Sequence, residues 1–218
     1  MMRLMKRIFG PACVTAFLFL AACRGTLPVA QDEPHPGMAA VIIGGLFQDP
    51  NGPTSRGETV VGLEGRDGLV YRLRVEAGRT FLYQIQPGVY HLTSVRTIFG
   101  SPEKFLTANI DGQPYQTPFP LELANAGEFK AKPGRILVLG VLKVALSSAL
   151  PGRGPLLSVS LDDYVADKRT MVQNLIQSMM NPAVSSELRQ NTQAWLNPLQ
   201  SILITLAAQP QTPLDQNP

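Results

Sequence analysis

From Met38 to about Leu161 the chain is a succession of short apolar runs cut by tight-turn residues, and this punctuation restricts the possible folds more than any other feature. The breakers are Asp49-Pro50-Asn51-Gly52, Asp67-Gly68, Ala77-Gly78, Pro87-Gly88, Asp111-Gly112, Pro133-Gly134 and a Gly/Pro cluster at 151–155. Between them lie candidate strands at 38–47, 58–64, 69–75, 80–86, 89–97, 104–110, 121–130, 135–146 and 156–161. Asp-Gly between two apolar runs is a strong hairpin signal. In Tyr71-Arg72-Leu73-Arg74-Val75 the apolar residues share one face and the arginines the other, as in a half-buried antiparallel strand. The run from Ile136 to Leu142 is apolar on both faces, which predicts a central strand able to bend at Gly140. Short strands at this spacing predict a mainly β fold, an antiparallel β-sandwich over residues 38–161.

Two segments sharpen that expectation. Phe81-Leu82-Tyr83-Gln84-Ile85-Gln86-Pro87-Gly88-Val89-Tyr90-His91-Leu92 and Phe129-Lys130-Ala131-Lys132-Pro133-Gly134-Arg135-Ile136-Leu137-Val138-Leu139-Gly140 resemble paired strands of small transthyretin-like (prealbumin-like) domains. In each, Pro presets one turn position and Gly accepts positive φ at the next, so the chain reverses into an apolar strand. The resemblance implies a fold and carries no catalytic residues, and such domains occur in bacterial lipoproteins of unassigned function.

The N-terminus supplies an address. Arg3, Lys6 and Arg7 precede an apolar run from Ile8 to Ala22, the order of an export signal. Leu20-Ala21-Ala22-Cys23 closes it and is similar to the lipobox of bacterial lipoproteins. That resemblance implies cleavage between Ala22 and Cys23, a diacylglycerol thioether on Cys23 and an acylated amino group, palmitate or similar. The competing readings are an ordinary cleaved signal that leaves Cys23 as a thiol, and a retained membrane helix, for which the run is short. In the lipoprotein reading Cys13 leaves with the signal and Cys23 becomes a thioether, so no disulfide, thiolate nucleophile or thiolate metal site remains. The precursor has 19 Lys and Arg against 16 Asp and Glu, and losing Arg3, Lys6 and Arg7 balances the mature side chains. No basic stripe marks a nucleic-acid partner. Arg24 stands where Asp would favour inner-membrane retention, so in a Gram-negative organism the resemblance implies the outer membrane. Residues 23–37, with three prolines, read as a lipidated Cys and an extended tether.

After Leu161 the apolar period changes from two to three or four. Asp162-Asp163 can cap a helix carrying Tyr164, Val165, Met171, Val172, Leu175, Ile176 and Met179 on one side, with Lys168 the one break in the stripe. Asn181-Pro182 and Asn197-Pro198 each read as the end of one helix and the start of another, which predicts two to three short helices over 162–208; a single helix kinked at Pro198 is the alternative. Residues 209–218 read as a disordered tail. The apolar stripe of Leu188, Thr192, Trp195, Leu199, Ile202 and Leu206 needs a cover, and the sandwich is the default one.

Chemistry-bearing patterns are sparse. His35 falls in the tether and reads as solvated; His91 falls in a strand and reads as a structural or surface residue. Asp49-Pro50-Asn51-Gly52 starts like a calcium loop without the later ligands and reads as a turn, as does Gly152-Arg153-Gly154. Arg72, Arg74 and Arg96 could form a basic strip, although pairing with Glu64 or Glu76 on a solvated face is the simpler account. No catalytic residue, cofactor or metal site is assigned. Three function classes follow: a membrane-anchored interaction lipoprotein that docks an envelope protein partner through its loops or helical tail, a binder of a small sugar, peptide or lipid in a cleft between sandwich and helices, and, least supported, an envelope hydrolase.

Overall fold

The computed structural model describes residues 33–95, 105–149, 154–180 and 186–209. In chain order its elements are β1 (Ala39–Asp49), β2 (Gly52–Thr54), β3 (Gly57–Gly65), β4 (Val70–Glu76), β5 (Thr80–Ile85), β6 (Gly88–Thr93), β7 (Phe105–Ile110), β8 (Gln113–Pro118), α1 (Leu121–Ala124), β9 (Phe129–Ala131), β10 (Ile136–Leu146), β11 (Leu157–Asp162), α2 (Val165–Met179) and α3 (Ser186–Ala208). The fold is mainly β with helices at the C-terminal end. The signal segment, the lipobox with Ala22 and Cys23, the tether through residue 32 with Arg24, Arg96, Gly152-Arg153, Asn181-Pro182 and the tail from 210 lie outside the described residues, as does the side chain of Leu188.

The strands form two facing sheets, an arrangement consistent with a β-sandwich. The first has the order β11-β10-β1-β2, with β5 also on β1; the second has β8-β7-β3-β6-β9, with β4 on β3. Val41, Ile43, Phe47, Val61, Leu63, Leu73, Tyr83 and Leu92 fill the space between them and are fully or almost fully buried. Tyr83 closes one side of this layer by donating its hydroxyl to the Arg74 carbonyl at 2.6 Å.

One pairing corrects the all-antiparallel expectation, because β1 runs parallel to β10. The reason is visible in the sequence of β1, Ala39-Ala40-Val41-Ile42-Ile43. Its odd residues enter the core between the sheets, while Ala40 and Ile42 enter a second core under the helices. Strands covered on both faces are the ones that tolerate parallel pairing. Strand β10 is central, as expected, and carries a bulge: Ile42 pairs with Val138 and Ile43 with Gly140, leaving Leu139 as the extra residue. The bulge switches parity, so Leu137 and Leu139 face the inter-sheet core before it and Leu142, Val144 and Leu146 after it. Gly140 has φ +136°, and a Cβ there would collide with the Asp162 carbonyl.

Three further expectations change. The strand at 121–130 is a single helical turn, α1, followed by the short β9. Leu-Glu-Leu-Ala are good helix formers, and Pro120 with φ −64° and ψ 131° delivers the chain into the turn, which buries Leu123. Strand β8 has no alternating apolar pattern and was invisible to periodicity. It is an edge strand paired with β7, where Pro114 and Pro118 cost little. The short β2 hairpin partner of β1 was likewise absent from the expected strands.

The helices form a third layer. Met171, Val172, Leu175, Ile176 and Met179 of α2 meet Trp195, Leu199 and Leu206 of α3 over Ala40, Ile42 and Leu82 of the first sheet. The default cover for the apolar stripe is therefore the one observed. Asn197-Pro198 does not divide the tail, because α3 continues through Pro198. Proline removes one helical hydrogen bond at a cost of about 3 kcal/mol, and burial of Trp195, Leu199 and Leu206, at about 2 kcal/mol each, outweighs it. Asp162 and Asp163 do not cap α2 either. The helix starts at Val165 with Tyr164, exposed ahead of it, as N-cap and no side-chain cap bond. Among the described residues no helix is long and apolar enough to cross a membrane.

Candidate functional site

Strand alternation decides what the outer face of the second sheet presents. With Val61, Leu63, Leu73, Val75, Leu106 and Ala108 turned inward, Glu58, Val60, Arg72, Arg74, Thr107 and Asn109 must face out. Arg74 bonds Glu58 at 2.7 Å and Glu76 at 2.8 Å, and Glu76 also takes Arg79 at 2.8 Å. The arginines expected here as a solvated, paired face are thus resolved for Arg74, with Glu76 as one partner. His91 stands half-exposed, 3.8 Å from Glu64, as a surface residue.

A groove of about 730 Å³ runs over this face, lined by Val60, Arg72, Arg74, Ser94, Phe105 and Phe119 among others. Val60 and Phe105 are 38% and 49% exposed, so the groove offers apolar contact beside paired charge. A second depression of about 350 Å³ adjoins it and shares Glu58, Arg74 and Asn109. Such a surface can bind by shape, apolar contact and hydrogen bonds. Periodicity located its strands but missed Phe105 and Phe119, since their exposure depends on how β7 and the turn before α1 sit.

A second cluster lies where sheet and helix meet. Lys143 of β10 bonds Asp162 of β11, whose Oδ1 also accepts the Tyr164 N–H at 3.0 Å. Burial works against the Asp162 carboxylate, but the Lys143 ammonium and the Tyr164 N–H outweigh it and hold its pKa below the ordinary value. The same hydrogen bond raises Lys143. Asp167 of α2 is pushed up by burial and then by the charge of Asp162. Lys143 and Asp167 border a cleft of about 300 Å³ with Gly44, Thr170, Met171 and Asn174. Asp162 has its side chain only 5% exposed and spends its acceptors inside the cluster. The cluster is an ionic joint between β10, β11 and the start of α2, in place of the cap read from the sequence.

The end of the tether is the third feature, and apart from its prolines no residue pattern marks it. Gln84 of β5 accepts the His35 N–H at 2.8 Å and donates to the Glu33 carbonyl at 3.0 Å. Met38 donates to the His35 carbonyl at 3.1 Å. Pro34, Gln84, Trp195 and Pro198 border a small cavity of about 50 Å³. Residues 33–37 are therefore held against the domain, with the His35 side chain exposed as expected. Asp49 accepts the Asn51 N–H at 2.7 Å, the turn read from the sequence. Among the described residues no group of three or more His, Cys, Asp or Glu side chains is placed to hold a metal ion.

No family model matches the chain, and no curated protein matches it. Among solved structures it is similar to a "putative cell adhesion protein" from Bacteroides ovatus, at 13% identity and a TM-score of 0.21, over 57% of this chain and 44% of that one. It is also similar to catechol 1,2-dioxygenase from Acinetobacter sp., at 12% identity and a TM-score of 0.23, over 61% of this chain and 54% of that one. The chain thus spans about half the length of these structures, and likeness at this level carries no argument about function.

Proposed function

We propose that the chain is a lipid-anchored envelope lipoprotein in which a β domain presents a binding face to another envelope component. The observation that carries the anchoring is Leu20-Ala21-Ala22-Cys23 directly after a basic and then an apolar segment. Cys23 is the lipidated first residue of the mature protein, Ala22 the last residue removed, and Arg24 favours the outer membrane in a Gram-negative cell. The partner surface is the groove over Val60, Arg72, Phe105 and Phe119, on the side of the domain opposite the helices. A transthyretin-like sandwich belongs to the same reading, supported by Pro133-Gly134, where Gly134 has φ +64° and the chain turns into β10; Gly88 departs from the expected turn, since it has no positive φ and is already the first residue of β6.

A second reading has its own observation. The groove is within the size of small-ligand sites, roughly 300–1,000 Å³, with aromatic walls suited to a sugar or peptide. An envelope hydrolase has no comparable support.

The anchoring is tested by expressing the full precursor with a radiolabelled fatty acid. Label should enter the protein, and Cys23→Ser should abolish it and release the protein from the membrane fraction. Equal membrane association of both forms without label would sink the lipoprotein reading. For the groove, a photo-crosslinker at Thr107 in intact cells should capture an envelope protein that a crosslinker on α3 does not. Saturable binding of a sugar or peptide, without protein capture, would favour the second reading.

A further inference from the structure

The helical layer has an unusual outer surface. From Thr170 to Met180 and from Thr192 to Gln209 it contains no charged residue, although charged residues make up 16% of the chain. From Thr192 on, where side chains are described, the exposed positions of α3 are Gln193, Ala194, Asn197, Gln200, Ser201, Ile204, Thr205, Ala207 and Ala208, with Ile204 70% exposed. Met180, at the end of α2, is 65% exposed. Serine and threonine there are turned back on the helix, Ser201 to the Asn197 carbonyl at 3.1 Å and Thr205 to the Ser201 carbonyl at 2.9 Å. This lowers their demand for water. The tether arrives beside the same layer, because Gln84 clamps Glu33 and His35 while Pro34 borders the cavity that Trp195 and Pro198 line. Only residues 24–32 then separate Cys23 from the docked segment, a reach of about 32 Å at full extension.

We propose that the outer face formed by residues 170–180 and 192–209, beyond the half-buried Asp167, Lys168 and Arg169 at the start of α2, rests on the bilayer that holds the lipid of Cys23. The inference depends on the lipoprotein reading above and adds an orientation to it. A lysine-rich amphipathic helix binds membranes unaided, through charge and apolar area. This face lacks the cations for that and does not need them, since the lipid supplies a high effective concentration at the surface. What the face requires is a smaller cost of losing water than charged groups would impose, and its amides Gln193, Asn197 and Gln200 meet that requirement only at headgroup level, where lipid polar groups replace their water partners. The second sheet, with its groove and ion pairs, then points away from the membrane.

The test uses the full lipidated protein in phosphatidylcholine vesicles, with single cysteines carrying an environment-sensitive fluorophore at Gln193→Cys or Gln200→Cys on α3, and at Thr107→Cys on the second sheet. With Cys13 cleaved off and Cys23 acylated, each introduced thiol is the one labelled. Quenching by aqueous iodide should fall severalfold at both α3 positions on vesicle binding and stay unchanged at Thr107. Quencher-bearing lipids should reach the α3 probes and not the Thr107 probe. A vesicle-bound protein whose three probes remain equally open to iodide would overturn the orientation and leave the anchoring intact. Protection of α3 that follows protein concentration without vesicles would also overturn it, in favour of self-association. Failure of the lipidated protein to float with vesicles, where Cys23→Ser behaves identically, would overturn the anchoring and this inference together.

Discussion

The two outer surfaces of the domain are built on opposite rules. The second sheet turns Glu58, Arg72 and Arg74 outward, and short ion pairs join Glu58 to Arg74 and the half-buried Glu76 to Arg74 and to Arg79 in the turn after β4. The helical layer exposes amides, hydroxyls and small apolar groups over a second core of Trp195, Leu199, Met171 and Ile176. Both stand on the same central strand, β1, whose alternate residues feed the two cores. The contrast separates what holds the molecule together from what it shows to its surroundings. Packing carries the helical side, and ion pairs decorate the sheet side without holding it.

Emptying the second core should have the largest effect. Trp195→Ala, at a site 3% exposed, should lower unfolding free energy by about 3–5 kcal/mol in urea titration. A loss under about 1 kcal/mol would mean that the helices are an appendage and β1 needs no outer cover. Next come the two glycines where β1 is approached from either side. A Cβ on Gly45 would lie 2.5 Å from the backbone oxygen of Glu76, whereas one on Gly44 would lie 2.7 Å from the Sδ of Met171, a side chain that can move. Gly45→Ala should cost about 2–3 kcal/mol and Gly44→Ala clearly less, and the reverse order would show that the helical side is the rigid one.

The ionic joint between sheet and α2 should have a smaller effect, with a defined pH signature. Asp162 has a depressed folded pKa, so its stabilisation is present above the ordinary carboxylate value and is lost as pH falls through the folded one. Lys143 is raised, so its share is complete below its ordinary value and is lost as pH rises through the folded one. Asp167 is also raised, and its ionised form therefore costs stability. Asp167→Asn should stabilise the protein at neutral pH by at most about 1 kcal/mol, a gain that vanishes below its ordinary value of 3.8. Thermal melts across pH 3–8 check this, and a variant less stable at pH 7 would contradict it. Smallest of all, Arg74→Ala on the outer sheet should change stability by about 0–1 kcal/mol despite two ion pairs, since Arg74 is 56% exposed. A larger loss would erase the distinction between the two surfaces.

Alternation and turn residues made most strands legible, because half-buried antiparallel strands write their burial into every second residue. They failed where burial does not alternate. Strand β8 carries Gln113, Pro114, Gln116 and Pro118 and is held by backbone pairing with β7, a contact that leaves no local trace. The parallel partnership of β1 and β10 was hidden for the opposite reason, since both strands are apolar on each face. Pro198 misled because a local preference for breaking a helix is weaker than a buried Trp195 and Leu199 on either side of it. Of the candidate surfaces, the arginine strand was readable, but the groove beside it depends on residues brought together by β7 and α1. The docking of Glu33–Gly37 hinges on one glutamine, Gln84, indistinguishable in sequence from any solvated strand residue.

The β1–β10 pair also dictates an order of events. Ala40 pairs with Ile136, and every strand of the second sheet lies between them in the sequence, so the first sheet closes only when the far ends of that stretch meet. Contacts so distant in sequence pay a loop-closure penalty before they return any stabilisation, and they slow folding. The strand that is made first is therefore completed late, and until β10 arrives its apolar edge is exposed. A chain with this topology is predisposed to linger as an open, half-assembled sheet, the state in which a holding chaperone would find it.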